Sequence, residues 1–161
     1  MSEKANNIAL QGHHLRQTLE IWGVINSDLL GIATDVATSA GSSGTVDHTG
    51  LLANAFFAAI SIYLSGVYDY SITLWNSWGI SVPTLAEEDV QCHVNTILSS
   101  TGFALERTSI SHLLYLFPLR VAGARCMDKR QRDQVRMLLR QVGTNFVVAQ
   151  AFETELSMLW G

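Results

Sequence analysis

Apolar side chains recur every three or four residues along almost the whole chain, which is the period of an amphipathic α-helix. The first such segment has one apolar face, formed by Leu15, Leu19, Trp22, Ile25 and Leu29. A small, polar and Gly-rich stretch comes next, and we expect a mobile loop over residues 37–47.

The most apolar segment covers residues 51–67 and predicts a buried central helix, apolar nearly all round. Its smaller residues share one face that would permit close approach of a second helix: Ala55, Ala58, Ala59, Ile62 and Gly66. A membrane-spanning helix needs about 20 apolar residues and usually has Lys or Arg beyond one end. This segment lacks a basic flank, so we interpret it as a core helix and expect no membrane partner.

The next predicted helix has a well-marked start. Thr84 and Glu87 have the spacing of a capping box, and Glu87, Glu88 and Asp89 would complement the helix dipole. Its predicted inner face comprises Val90, Val94, Ile97 and Leu98.

A second strongly apolar helix is predicted around Pro118. The expected buried stripe is Ile110, Leu113, Leu114, Phe117, Val121 and Ala124. Pro118 lies inside this pattern, and it must kink or break the helix near Phe117 because it has no N–H and crowds the preceding turn.

Two further helices complete the pattern. Asp128 is placed to cap the first of them and Gly143 to end it, with an inner face of Val135, Leu138, Leu139 and Val142. The last helix should turn inward Val148, Phe152, Leu156 and Leu159. Without a convincing strand, the sequence predicts an all-α fold. Residues 1–161 should form a single compact bundle of about six helices, one of them a buried helix kinked by proline.

Composition narrows the functional classes. The chain has 161 residues, 48% of them hydrophobic and 15% charged, which is enough for a sizeable core. A net charge of -4 argues against direct nucleic-acid binding. Cys92 and Cys126 form no Cys-x-x-Cys pair, and the N-terminus has no secretory leader, so we expect an intracellular protein, nuclear or cytoplasmic, with reduced thiols.

Several blocks of the sequence resemble a known family. They are "AAISIYLSGVYDYSITLW", "PTLAEEDVQCHVNTIL", "LLYLFPLRVAGARC", "QRDQVRMLLRQVG" and "FVVAQAFETELSMLW". In this order they resemble the C-terminal helical part of fungal-specific transcription factor domains, over residues 48–160. The resemblance implies an all-helical effector region that senses small molecules and modulates the activity of a regulator.

The departure from that family is as informative as the match. Its members bind DNA through a cysteine cluster in a basic segment, followed by a linker and a dimerising coiled coil, and this sequence has none of these. We therefore expect either a shortened stand-alone relative or an excised piece, and in both cases no DNA reading by the family's mechanism.

Asp69 is the first candidate for chemistry, because a carboxylate at the end of an apolar helix could orient a ligand or act as a base. The alternative is a structural ion pair, with Arg120 as the expected partner. His112 and Arg120 share one helix edge, with Tyr115 adjacent, and together with Asp69 they could form a polar patch in an apolar cavity.

The remaining candidates are aromatic or basic. Tyr63, Tyr70, Trp75, Trp78 and Tyr115 are the predicted ligand-binding rings. Four basic residues step along one helix face, either as an anion-binding stripe or as a solvated outer face: Lys129, Arg132, Arg136 and Arg140. No metal-ligand spacing and no cofactor motif is found, so we expect neither a metal nor a cofactor.

Three functions remain open from the sequence. The first is a binding module for a small hydrophobic molecule or a partner protein. The second is a cofactor-independent cyclase or isomerase of fungal secondary metabolism, with Asp69, His112 and Arg120 as its catalytic residues. The third is a structural dimerisation fragment. We also expect a homo-oligomer, because the shortened domain would leave helix surfaces uncovered.

Overall fold

The computed structural model describes residues 2–39, 48–107 and 111–161. These residues form seven α-helices and no strand: α1 (Ser2–Ser39), α2 (His48–Asp69), α3 (Ile72–Ser77), α4 (Glu87–Arg107), α5 (Leu116–Ala124), α6 (Lys129–Gly143) and α7 (Val148–Trp160). A 3₁₀ turn, His112–Tyr115, leads into α5. The predicted all-α fold is confirmed.

The main core joins α2, α4, α5, α6 and α7. Every residue of the predicted inner faces of α4 and α6 is buried: Val90, Val94, Ile97, Leu98, Val135, Leu138, Leu139 and Val142. Both predictions are confirmed. Asp128 caps α6 as expected, accepting a hydrogen bond from the Gln131 N–H in a full capping box.

The central helix α2 is buried on one side only. Ala55, Ala58, Ala59 and Ile62 are buried, as predicted from their small face. The prediction of a helix buried all round is wrong, because Ile60, Tyr63 and Val67 are 42%, 59% and 55% exposed. This line of α2 is only partly covered by α1 and α5.

The apolarity of α2 bears on the question of a membrane. Among the described helices, Thr49–Asp69 is the one long and apolar enough to cross a membrane, with a mean hydropathy of 1.7 and 39% of the apolar window buried in the protein. A core helix of a water-soluble protein passes the same test, so this property is weak evidence for a membrane.

The face by which α1 packs differs from the predicted one. Leu15, Leu19 and Trp22 do share one face, as predicted, and they border a groove between α1 and α2, but Leu15 and Trp22 are 61% and 41% exposed. The side chains of Ile25 and Leu29 lie outside the described part of the chain. Among the α1 side chains that the structure describes, the buried ones are small, apart from one arginine: Ala5, Ala9, Gly12 and Arg16. Small residues are required on this face because the Tyr68 ring lies against Gly12, where a Cβ would come within 2.7 Å of the ring carbon Cζ.

Arg16 ties α1 to the rest of the bundle. Its side chain is buried, and Nη2 donates to the Ser61 carbonyl at 3.0 Å and to the Pro83 carbonyl at 3.2 Å. The first contact is to α2, and the second is to the segment between α3 and α4. Burial lowers the pKa of this guanidinium, since the charged form loses water.

Element boundaries also differ from the predicted ones. α1 continues through Ser39, so it includes the first three residues of the predicted loop, and residues 40–47 lie outside the described ones. α4 begins at Glu87, later than the Thr84 capping box would place it, although Glu87, Glu88 and Asp89 do occupy its first turn. The short helix α3 lies in a stretch predicted as a connector.

Pro118 has the predicted effect, but the predicted buried stripe is wrong. The helix type changes between Tyr115 and Leu116, close to the expected break. Pro118 is the third residue of α5, where a missing N–H has no helical partner to lose. Residues of the predicted stripe that turn outward are Leu113, Leu114, Phe117 and Ala124, whereas Val121 is buried and Ile110 lies outside the described residues. The 3₁₀ turn has three residues per turn, so it shifts the inward face from the one that an uninterrupted α-helix would give.

The inner face of α7 is half as predicted. Leu156 is buried and Phe152 packs against the core, but Val148 and Leu159 are 45% and 62% exposed. Ala149 and Trp160 take their places. The Trp160 indole N–H donates to the Gly123 carbonyl at 2.9 Å, which fixes the rotation of α7 against α5.

The basic stripe of α6 faces α7 in part. Arg136 lies over the Trp160 ring at 4.8 Å, Arg132 donates to the Trp160 carbonyl, and Arg140 pairs with Glu153. Three of the four stripe residues thus have partners within the protein. This arrangement favours the solvated helix face over an anion-binding stripe.

A matched pair of glycines tests the close contact of α5 with α7. In Gly123→Ala the new Cβ would lie 2.5 Å from Leu156 Cδ1, and we expect a loss of about 1–3 kcal/mol in the free energy of unfolding. In Gly102→Ala the nearest atom is Leu138 Cδ2 at 3.8 Å, and a gain of up to about 1 kcal/mol is expected from helix propensity. Urea unfolding measures both, and equal stabilities would contradict the packing described here.

His93 predicts a pH dependence. Burial, and then the charge of Arg16, lower the pKa of His93 from its ordinary value of 6.5, with Asp89 acting in the opposite direction. The unfolded chain therefore takes up this proton at a higher pH than the folded one, and the stability present above the unfolded pKa is lost as the pH falls. We expect the free energy of unfolding of wild type to decrease more than that of His93→Gln between about pH 7.5 and about pH 5. Parallel curves for the two proteins would show that His93 has no such role.

Candidate functional site

An open groove of about 260 Å³ lies between the exposed side of α2 and α5. Its apolar part is formed by Ile62, Gly66 and Val67 from α2 and by Val121 and Ala124 from α5. The groove is therefore the direct result of the one-sided burial of α2.

Gly66 gives the groove part of its depth. A Cβ built at this position would meet no atom within 4 Å, so the backbone of α2 borders open space there. The prediction that Gly66 permits close helix approach is wrong for this residue. A glycine inside a helix costs about 1 kcal/mol relative to alanine, and here its effect is to leave room beside the helix.

Arg120 stands on the α5 side of the groove and is held by α7. Its Nε donates to Glu155 Oε2 at 3.1 Å and its Nη2 to Glu155 Oε1 at 2.5 Å, a bidentate pair. The hydrogen bond to Glu155 raises the pKa of Arg120, so the guanidinium stays charged. Its side chain is 43% exposed, which leaves it accessible from the groove.

Arg125 forms the other charged part of the wall. Its Nη1 donates to Asp69 Oδ2 at 3.2 Å, and its Nη2 lies 3.6 Å from Glu87 Oε2. Asp69 also accepts a hydrogen bond from the Ser65 hydroxyl, which in turn accepts from the Leu85 N–H. The expected pair of Asp69 with Arg120 is therefore wrong: Asp69 pairs with Arg125, and Arg120 with Glu155.

This difference has a physical reason. Arg120 lies in the middle of α5, where its side chain meets α7, whereas Arg125 follows the last residue of α5 and reaches the end of α2. Spacing within one helix cannot reveal which neighbour each arginine meets, because that depends on how three helices are arranged.

Three of the predicted residues line the groove together: Tyr63, Tyr70 and Arg120. Tyr63 is 59% exposed and Tyr70 is 96% exposed, so both phenols lie at its rim. Asp69 lies next to the groove through its ion pair with Arg125.

Tyr115 and His112 lie elsewhere. Tyr115 is fully buried against Ala55 and Ala104, about 16 Å along α2 from Gly66 by the helix rise. Its hydroxyl has no hydrogen-bond partner among the described residues, and burial raises the pKa of Tyr115. His112 lies in the 3₁₀ turn and is absent from the groove wall. The predicted convergence of His112, Tyr115 and Asp69 is therefore wrong.

The two predicted tryptophans form a separate aromatic cluster. Trp75 contacts Tyr68 and Trp78 edge-on, with ring centroids 5.8 and 5.7 Å apart. Tyr68 in turn donates to the Ile8 carbonyl of α1. Trp75 and Trp78 therefore pack the α2–α3 corner near α1, and neither lines the groove.

A second groove, of about 440 Å³, lies between α1 and α2. Among the described residues its wall is apolar apart from Thr18 and the Tyr63 hydroxyl and includes no charged side chain. The wall comprises Leu15, Thr18, Leu19, Trp22, Ile60, Tyr63 and Leu64. Tyr63 belongs to both grooves. Elsewhere in the described part of the chain, no three His, Cys, Asp or Glu side chains come together as metal ligands.

Gly66 and Arg125 are two of the groove residues that the sequence-based candidates did not include. Gly66 was assigned to helix packing and Arg125 to no role. A glycine in the middle of an otherwise strong helix was the available signal for the first. For Arg125 the signal was its position directly after the predicted apolar helix. A partly buried carboxylate such as Asp69 needs a basic partner, and a basic residue at the end of a neighbouring helix can provide it.

Comparison of the chain with protein-family models, curated proteins and solved structures finds no match. The resemblance to fungal-specific transcription factor domains therefore stays a prediction.

A double-mutant cycle tests the ion-pair assignment. We expect Asp69→Asn and Arg125→Gln to be coupled by about 0.5–1 kcal/mol, a value suited to side chains that are each 29% exposed. Asp69→Asn and Arg120→Gln should be additive within about 0.3 kcal/mol. Free energies of unfolding for the six proteins provide the measurement, and a larger coupling to Arg120 would restore the original pair.

Proposed function

We propose that this domain is a binding module and that a small apolar molecule binds in the α2–α5 groove. The observation that supports the proposal is the composition of the groove: an apolar floor with open space at Gly66, and tyrosine and arginine side chains at its edge. Small-molecule sites generally combine a mostly apolar lining with a few placed polar groups.

The size of the groove limits the ligand. Its volume of about 260 Å³ lies just below the range of about 300–1,000 Å³ that is usual for ligand pockets. The groove is also open to solvent on one side, since Tyr70 at its edge is almost fully exposed. A short apolar chain or one small ring suits it better than a large multi-ring compound.

The positions of the predicted catalytic residues favour binding over an isomerase or cyclase. Asp69 is engaged by Arg125 and Ser65, and His112 is not in the groove wall. A general acid or base must lie within hydrogen-bond reach of the reacting atom. The resemblance to effector regions of fungal regulators, which implies small-molecule sensing, agrees with the same proposal.

Gly66→Leu tests the proposal, because it fills the groove without an expected clash. We expect the variant to fold at least as stably as wild type, since leucine is the better helix former. Addition of 1-octanol to ¹⁵N-labelled wild type should shift the amide signals of Val67, Tyr70 and Ala124. The same addition should leave these signals unmoved in Gly66→Leu.

Gly102→Ala serves as the control for this experiment. It also replaces a helix-interior glycine, but its Cβ would face Leu138, away from the groove. It should retain the octanol response of wild type. Signal changes confined to Leu15 and Trp22, or equal responses in Gly66→Leu and wild type, would contradict binding in the α2–α5 groove.

A further inference from the structure

The charged side chains in the lining of the α2–α5 groove have one sign. Arg120 and Arg125 both line it, and no aspartate or glutamate of the described residues does. The carboxylates that pair with these arginines, Glu155, Asp69 and Glu87, lie outside the groove lining. A ligand in the groove would therefore meet the guanidinium groups before it meets any carboxylate.

Both guanidinium groups have N–H donors that their ion pairs do not use. A guanidinium has five N–H donors. Arg120 uses its Nε and Nη2 atoms on Glu155, so its Nη1 hydrogens have no partner among the described residues. Arg125 donates Nη1 to Asp69 and has Nη2 3.6 Å from Glu87 Oε2, which leaves its Nε–H without a partner among the same residues. The side chains are 43% and 29% exposed, so these donors are accessible while partly withdrawn from water.

The two phenol hydroxyls add neutral donors to the same edge. Tyr63 and Tyr70 line the groove beside the arginines. A carboxylate could accept from both kinds of donor, and hydrogen bonds in which both partners are charged are roughly twice as strong as neutral ones. A ligand ammonium group would instead face two charges of its own sign.

We infer that the ligand of the α2–α5 groove is a small amphipathic carboxylic acid. Its apolar part lies over Ile62, Gly66 and Val121, and its carboxylate lies at Arg120 and Arg125. This inference rests on the proposed function and adds the chemical class of the ligand.

Octanoate, 1-octanol and octylamine are matched probes, because they share one apolar chain and differ in the head group. At neutral pH and low salt, calorimetric titration of the wild-type protein should show octanoate binding about tenfold more tightly than 1-octanol, with octylamine weakest. The preference for octanoate should shrink as salt is added, since the arginines are partly exposed.

Variants of the Arg120–Glu155 pair separate a ligand contact from a structural role. Glu155→Gln releases the guanidinium and should raise octanoate affinity about two- to fivefold. Arg120→Gln should bring the octanoate-to-octanol preference from about ten to near one. The pair is on the surface, so both variants should stay folded, and their unfolding curves check this.

The outcomes distinguish the two proposals. If 1-octanol binds in the groove and octanoate binds no more tightly, the carboxylate inference is wrong and the proposed function stands. If Glu155→Gln leaves octanoate affinity unchanged or lowers it, the contact with Arg120 is wrong. If none of the probes binds, and Gly66→Leu matches wild type, both proposals fail together.

Discussion

The close packing of the alanine face of α2 against α4 and α5 determines the rest of the structure. Ala55, Ala58 and Ala59 are completely buried, and such small side chains let neighbouring helices approach closely. Two helices held near one face of α2 cannot also cover the opposite face. Ile60, Tyr63 and Val67 are therefore left in solvent, and both grooves arise along this uncovered side.

A chain of polar contacts then shapes one end of that side. The Leu85 N–H, the Ser65 hydroxyl, Asp69 and Arg125 follow one another from the start of α4 to the end of α5. Losing one member of a partly buried ion pair leaves its partner's charge poorly compensated. The carboxylate that looked most suited to chemistry thus has a structural role, and it helps to keep Arg125 in the groove wall.

The sequence predicted best those helices that have one clear apolar face and a clear start. α4 and α6 meet both conditions, and all of their predicted inner residues are buried. α1 was predicted from its largest side chains, but the helix packs through Ala5, Ala9 and Gly12, because close contact with Tyr68 selects small residues. The 3₁₀ turn before α5 changes which residues of α5 face the core, because the prediction assumed one uninterrupted α-helical period.

The site was less predictable than the fold for a related reason. Tyr63, Tyr70 and Arg120 line one groove because Tyr63 and Tyr70 lie in and directly after α2, and Arg120 lies on α5, which packs beside it. The choice between Arg120 and Arg125 as partner of Asp69 depends on α7, which supplies Glu155 from far along the chain. Pairings of this kind are set by tertiary arrangement, and no local spacing encodes them.

The groove with the larger volume is not the one better suited to bind a specific ligand. The α1–α2 groove is the larger of the two, at about 440 Å³ against about 260 Å³, but none of its described lining residues is charged. Apolar contact provides affinity in proportion to buried area, yet it is not directional and orients a ligand poorly. The α2–α5 groove adds two guanidinium groups and two phenols to an apolar floor. Directional donors of this kind let a site discriminate between head groups, which is why we propose selective binding in the smaller groove.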